Sequence, residues 1–366
     1  MRRARASPER VTDITGIAAS RDGFAVGRTK GGFRVAILLA LLVGIYFFSA
    51  VWGRGATSTT GASSDIASAG VTRRVIGDGR VEAIWNVPAS AKGTVLALHG
   101  CSHSALDWFP RDESRCAQCR GLAQELKITN AALDAGYALL AVSSAGNCWS
   151  RDDVPRLALA LDAYGAEHGA SRRRPLYAFG ASSGGSFAGV LPSLSDLPRR
   201  PDGLIVQIAG GPGGLGTDGL ARYPPTVLSH MPRDESTASA VRRSLDELTA
   251  AGALVSEHRL ERRALTPSFF EEESAGKITA RESAGLFRAL RDELGVLDAH
   301  DLLIRDPRSF DAGQIDALRE WTPAWDSLVP DESDVREILN VAYAAHELSA
   351  QDFAKNLRWI VDASSA

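Results

Sequence analysis

Gly180-Ala181-Ser182-Ser183-Gly184 has the form G-x-S-x-G. A short apolar run, Pro175 to Phe179, precedes it, and the small residues from Gly185 to Leu191 follow in a stretch that reads as helix. A strand, a tight turn and a helix in that order lift one serine hydroxyl off the end of a sheet, where a histidine can reach it. Glycines stand two positions before and two after Ser182 because the nucleophile's backbone is strained there and bulkier neighbours would clash. Ser182 is therefore the candidate nucleophile. A bare G-x-S-x-G also occurs by chance as a loop between any strand and helix, and the strand before and helix after are what give this one weight.

The elements that must position such a serine are legible on both sides of it. Arg73 to Pro88 alternates apolar and polar residues about Asp78-Gly79, the signal of a hairpin. Thr94–Leu98, Tyr137–Val142, Leu176–Phe179, Leu204–Ile208 and Thr226–Leu228 are apolar throughout or nearly so, and Ala253–His258 closes the series. Helical spacing appears between them at Leu122–Ala135, Val154–Glu167 and Ala238–Ala250. Continuous apolar strands alternating with amphipathic helices indicate a parallel sheet covered on both faces. The predicted class is α/β, a mostly parallel sheet with an antiparallel edge made by the first strands.

The order and contents of these pieces resemble the α/β-hydrolase family across roughly residues 73–260. The matching parts are the strand end LALHG at 96–100, the elbow GASSG at 180–184 and the strand PPTVLSHMPRD at 224–234. In that family nucleophile, acid and histidine follow in the order Ser, Asp or Glu, His. The resemblance implies Ser182 as nucleophile and Asp234 as the acid that orients the base, with Glu235 as the neighbour that would replace it. It also implies an oxyanion hole made by the backbone N–H groups of Cys101 and Ser183.

The family's usual place for the histidine, the loop after the last strand, holds none here: residues 259–299 contain no histidine. Of the seven histidines, His99 and His103 precede the elbow, and His168 enters the nucleophile strand at the wrong end. His230 and His258 sit in or at the ends of strands, and His300 lies in the charged stretch LDAHD. That leaves His346, in VREILNVAYAAHELS, where Val335, Leu339, Ala342 and His346 would share one apolar helical face. Residues 265–340, helical and broken by prolines, then read as an insertion that forms a lid or a pocket wall.

Cys101, Cys116, Cys119 and Cys148 allow three pairings. Cys101 and Cys148 both follow strand ends and can bridge, and Cys116 and Cys119 can close a small loop. The sharper alternative is a zinc site drawing on His99, Cys101, His103 and the C-x-x-C pair. Two other motifs are look-alikes. Gly211 to Gly216 spells G-x-G-x-x-G, but Tyr223-Pro224-Pro225 follows too soon for a pyrophosphate-binding helix. His346-Glu347 begins like a zinc-protease motif, yet Ala350 stands where the second histidine must be.

Composition bounds the rest. Of 366 residues, 23% are charged and 45% apolar with a net charge of -3, which describes a globular protein with no basic stripe for nucleic acid. Val35 to Trp52 carries no charge and, as a helix, spans roughly 27 Å, about the hydrocarbon thickness of a bilayer. Arg28, Lys30 and Arg34 precede it closely and only Arg54 follows closely. This asymmetry predicts an uncleaved signal-anchor with a cytoplasmic N-terminus. Residues 1–34 read as a disordered cytosolic tail, 35–52 as the transmembrane helix, 53–72 as a flexible Gly/Ser/Thr stalk and 73–366 as the hydrolase-like domain on the lumenal or extracellular side. The expectation is a membrane-anchored serine hydrolase acting on small-molecule or lipid-like esters, with no metal or organic cofactor. A non-catalytic ectodomain that serves as a binding surface, and a lumenal thiol or zinc protein, are the readings it competes with.

Overall fold

The computed structural model describes residues 70–169, 173–212, 219–220, 222–326, 328 and 333–365. The expected tail, the transmembrane segment 35–52 and nearly all of the stalk lie outside these residues, as does most of the glycine run 211–216. Among the described residues no helix is long and apolar enough to cross a membrane.

The first two strands, β1 (Thr72–Ile76) and β2 (Val81–Asn86), form the expected antiparallel hairpin, turned by Asp78 and Gly79, both at positive φ. Six further strands follow: β3 (Thr94–Leu98), β4 (Ala138–Val142), β5 (Leu176–Ala181), β6 (Gly203–Gln207), β7 (Thr226–His230) and β8 (Val255–Arg259). They join in one eight-stranded sheet of order β1-β2-β4-β3-β5-β6-β7-β8, parallel from β4 onward. Every residue of β3 to β7 is buried, as continuous apolar strands between two helical layers must be. The edge strand β8 starts two residues later than its sequence suggests, because residues 251–253 complete the turn after the preceding helix, with the Ala253 N–H donating to Leu248 O.

One layer is built from α2 (Val154–Glu167), α3 (Ser183–Val190) and α4 (Glu235–Ala250), whose Leu157, Phe187 and Val241 pack on the sheet. The other comes from α1 (Ala123–Asp134) and a C-terminal helix (Phe353–Ser364), through Ile128, Phe353 and Leu357. Residues beyond β8 carry a third apolar cluster with Phe270, Leu286, Trp325 and Leu339 at its centre. It is assembled from α5 (Phe269–Glu273), α6 (Ala280–Arg288), α7 (Ala312–Arg319) and α8 (Asp334–Tyr343); the C-terminal helix is α9. Capping boxes at Thr279 with Glu282 and at Asp311 with Gln314 set two of these helix starts where the local sequence marks them. The cluster is tied to α1 by a Lys127–Glu273 ion pair of 2.6 Å and by the Gln124 N–H, which donates to Glu337.

Candidate active site

β5 runs directly into α3, and Ser182 takes the turn between them at φ 53 and ψ −118. This conformation costs a residue with a side chain on the order of 1–3 kcal/mol, and the surroundings enforce it. The Ser182 N–H donates to Gln207 O at the end of β6, and the Ser186 N–H takes up Ser182 O. The flanking glycines are required by space. A Cβ on Gly180 would overlap the Gly184 carbonyl, and one on Gly184 would overlap the carbonyls of Leu98 and His99.

Three distant segments meet at this turn. Ser182 Oγ lies 2.9 Å from His346 Nε2, and His346 Nδ1 lies 2.5 Å from Asp234 Oδ2. Because the carboxylate accepts from Nδ1–H, Nε2 is left to accept the serine proton. Asp234 is the N-cap of α4, its Oδ1 accepting from the Thr237 N–H and the Ser236 hydroxyl. Partial burial pushes its pKa up, but these hydrogen bonds and the one to His346 outweigh that and hold the carboxyl below its ordinary range. Glu235, the alternative acid, is the first residue of α4 and is exposed.

His346 is reached in a different way from the one its sequence suggests. It does not lie on the apolar face of a helix. α8 ends at Tyr343, Ala344 caps it in the left-handed region at φ 60, and His346 itself has φ 34 with its side chain half exposed. The left-handed cap breaks the helical repeat and turns the imidazole toward the elbow. Two arginines fasten this strained loop. Arg233, the residue before the acid, stacks on Tyr343 at 3.7 Å and donates to Tyr343 O, while its backbone N–H donates to Ala344 O. Arg308 donates to Ala345 O and His346 O, both at 3.1 Å, and pairs with Glu347 at 2.7 Å. Further on, Gln207 exchanges two hydrogen bonds with the Ser349 backbone and so pins the loop to the sheet end. None of Arg233, Arg308 or Gln207 is singled out by the sequence, and no local motif marks them.

The strand end His99-Gly100-Cys101 is held as firmly. The Ser144 N–H donates to His99 Nε2, so Nδ1 carries the proton and donates to Gly100 O at 2.6 Å. Burial lowers the His99 pKa to about 4, which keeps the ring neutral in this tautomer. With the Gly100 carbonyl drawn into His99, the trans peptide directs the Cys101 N–H the opposite way. A disulfide joins Cys101 to Cys148 and staples the loops after β3 and β4; a second links Cys116 to Cys119. With all four sulfurs bonded in pairs, no thiolate remains for the zinc alternative. Among the described residues no group of three or more His, Cys, Asp or Glu side chains could hold a metal.

Gly100, Cys101, Ser182 and His346 open onto a cavity of about 820 Å³. Its far wall comes from the residues after β8, with Pro307, Phe310, Ile315 and Trp325 among charged Arg308 and Arg336. Both guanidinium groups are engaged, Arg308 with Glu347 and the loop carbonyls and Arg336 over the Trp325 ring, so the wall mixes apolar rings with paired charges. Two further histidines stand away from this cavity. His230 contacts Glu257, and His258 lies between Asp352 and Asn356. His103, on the cavity floor, sits 3.4 Å from Asp107.

No family model matches this chain, and no curated protein is similar to it. Among solved structures, the chain is similar to a carboxyl esterase from the fungus Tuber melanosporum, at 14% identity over 52% of this chain and 76% of that one, TM-score 0.38. A thermostable esterase from Pseudomonas putida is 16% identical over 54% of this chain and 74% of its own, TM-score 0.40. A predicted CIB-like hydrolase from Thermoplasma acidophilum is 16% identical over 52% and 87%, TM-score 0.35.

Proposed function

We propose that this chain, which has the α/β-hydrolase fold, is a serine hydrolase that cleaves small-molecule carboxylic esters through an acyl-Ser182 intermediate. The observation that carries this reading is the continuous chain of contacts from Ser182 through His346 to Asp234, 2.9 Å and 2.5 Å long. His346 would take the Ser182 proton as the hydroxyl oxygen attacks the ester carbonyl, and return it to the leaving alcohol. Asp234 would hold the imidazole in the required tautomer and stabilise the imidazolium. The N–H of Ser183, at the first position of α3 where a helix leaves its N–H without an internal acceptor, would receive the oxyanion together with the N–H of Cys101. Water would then release the acid by the reverse proton path. The competing idea of a non-catalytic binding surface took its motive from the missing histidine after the last strand, and a histidine supplied from beyond α8 speaks against it.

The test is labelling of the purified protein with a fluorophosphonate. Wild type is expected to label stoichiometrically and Ser182→Ala not at all. A wild-type chain that stays unlabelled while correctly folded would sink the hydrolase.

Arg308 carries a second expectation. Its two hydrogen bonds hold the carbonyls on either side of the His346 Cα, so Arg308→Ala is expected to lower kcat by about tenfold to a hundredfold, the scale of a misplacement near 1 Å. KM should change far less, and Arg308→Lys should recover part of the loss. A change confined to KM would show instead that Arg308 acts on substrate alone.

We also propose that residues 35–52 anchor the chain in a membrane with residues 73–366 on the lumenal or extracellular side. The charge asymmetry around the segment supports this, and so do the two disulfides, which persist in oxidising compartments. Protease added outside intact cells, for a surface chain, or to vesicles opened to expose their lumen, for an internal one, is expected to digest the catalytic domain and spare the N-terminal tail. Protection of the catalytic domain in intact cells, with exposure only after opening the cytosolic face, would reverse the topology.

A further inference from the structure

A second histidine–carboxylate pair stands on the floor of the same cavity, and the ester chemistry above does not use it. His103 Nδ1 faces Asp107 at 3.4 Å and Glu125 at 4.0 Å, and both carboxyl groups are buried. Asp107 is held in turn by Arg120 at 2.6 Å and by the Ser104 N–H at 2.8 Å. With Nδ1 against the carboxylates, Nε2 lies on the other side of the ring, and the side chain borders the same cavity as Ser182. A Cβ placed on Gly100 would lie 3.9 Å from His103 Cδ2 and 3.9 Å from Ser182 Cβ, so His103 and the candidate nucleophile flank the same glycine. His103 side-chain exposure is 14%, and it lines the cavity with Ser182.

We propose that His103 binds an anionic group of the substrate, so that the esters this site prefers carry a carboxylate a few bonds from the scissile carbonyl. The inference deepens the hydrolase reading and rests on it for the position of that carbonyl. The physical argument is one of charge placed in advance. With two carboxyl groups behind Nδ1, the ring is held as a cation, and its Nε2–H can give a substrate carboxylate a charge-assisted hydrogen bond. Burial lowers the affinity of His103 for its proton, but Asp107 at 3.4 Å and the neighbouring Glu125 and Glu347 outweigh this and raise its pKa to about 9, while burial pushes Glu125 itself up to about 7. The other titratable groups near it are neutral His99, Glu337 behind Glu125, and Arg120 behind Asp107. Because His103 and Ser182 flank the same glycine, the acid group can belong to either the acyl or the alcohol side of a short ester.

The experiment compares matched pairs at pH 7. Ethyl hydrogen succinate against ethyl succinamate places the carboxylate or its neutral amide on the acyl side. Carboxymethyl acetate against carbamoylmethyl acetate places them on the alcohol side. In wild type one pair is expected to favour the anion by about tenfold or more in kcat/KM, mainly through KM, and the ratio within that pair should fall to about one in His103→Gln. In wild type the same ratio should hold at neutral pH and decline as pH rises through about 9, where the imidazolium deprotonates. This pH series needs no variant and decides the matter if His103→Gln does not fold. Equal rates within both pairs, or a ratio that survives in His103→Gln, would overturn the assignment. Calorimetric titration of Ser182→Ala with the same four esters keeps the two readings apart. Anion-selective binding by a protein that labels with no fluorophosphonate would leave His103 as an anion site and sink the hydrolase, whereas labelling without anion selectivity would do the reverse.

Discussion

Replacing Ser182 with alanine is expected to lower kcat toward any ester by roughly six orders of magnitude, and His346→Ala by a similar factor, with the double variant little worse than either alone. The reason for the non-additivity is geometric. Serine at its own pKa is a poor nucleophile, and only the imidazole 2.9 Å away makes it reactive, so removing either partner removes the same step. A residual rate above the uncatalysed one should persist, because the N–H groups of Cys101 and Ser183 remain to polarise the carbonyl. Steady-state kinetics on a 4-nitrophenyl ester would check this, with circular dichroism to confirm folding. The elbow itself does not depend on the hydroxyl, since Ser182 is held there through its backbone, by Gln207 O and by the glycines. If His346→Ala retained more than a few per cent of the wild-type rate, another group would have to be the base.

Asp234→Asn is expected to cost about 10⁴-fold in kcat, or roughly 5.4 kcal/mol of barrier, with the fold intact. Asparagine is as good an N-cap as aspartate, so the bond from the Thr237 N–H to Oδ1, and with it the start of α4, should survive. What changes is the face toward His346. An amide nitrogen placed where Oδ2 now accepts from Nδ1–H would favour the tautomer with its proton on Nε2, and an Nε2–H cannot accept from Ser182. Because the Asp234 carboxyl is held below its ordinary range, it stays ionised across the pH of any practical assay, and its charge is not what a pH profile in the neutral range would report. Single-turnover kinetics would separate a slow chemical step from altered binding. An Asp234→Asn protein that keeps kcat within tenfold would show that the carboxylate only caps α4.

The parts of the site that a linear reading reaches are those set by neighbours in the chain. The elbow is an example in part: the overlap that forbids a side chain at Gly180 is with Gly184, four residues away, whereas Gly184 is kept bare by the distant carbonyls of Leu98 and His99. The buried strands β3 to β7 are equally local in their signal, whereas Asp234 is reached through the family resemblance, and its place as the cap of α4, which starts three residues before the predicted Ala238, comes from the structure. Chain order alone points to His346, and the apolar spacing around it predicts a helix that in fact ends at Tyr343. No glycine or asparagine marks the left-handed residues Ala344 and His346, and what holds them there, Arg233 and Arg308, comes from 110 and 37 or 38 residues away.

The sheet, its helical layers and the serine elbow are legible in the chain alone, because each follows from the spacing of residues a few positions apart, whereas Asp234 and His346 are reached through family resemblance and chain order. Only the tertiary structure decided which of three cysteine pairings forms, how His346 is turned onto Ser182, and that the cavity wall is charged. Those outcomes depend on segments brought together by packing. Cys101 meets Cys148 across 47 positions, and Arg308 fastens the histidine loop from a part of the chain whose own pattern records only helices, turns and their caps. Hydrophobic periodicity states which face of an element is buried, but not which distant polar group waits at its end.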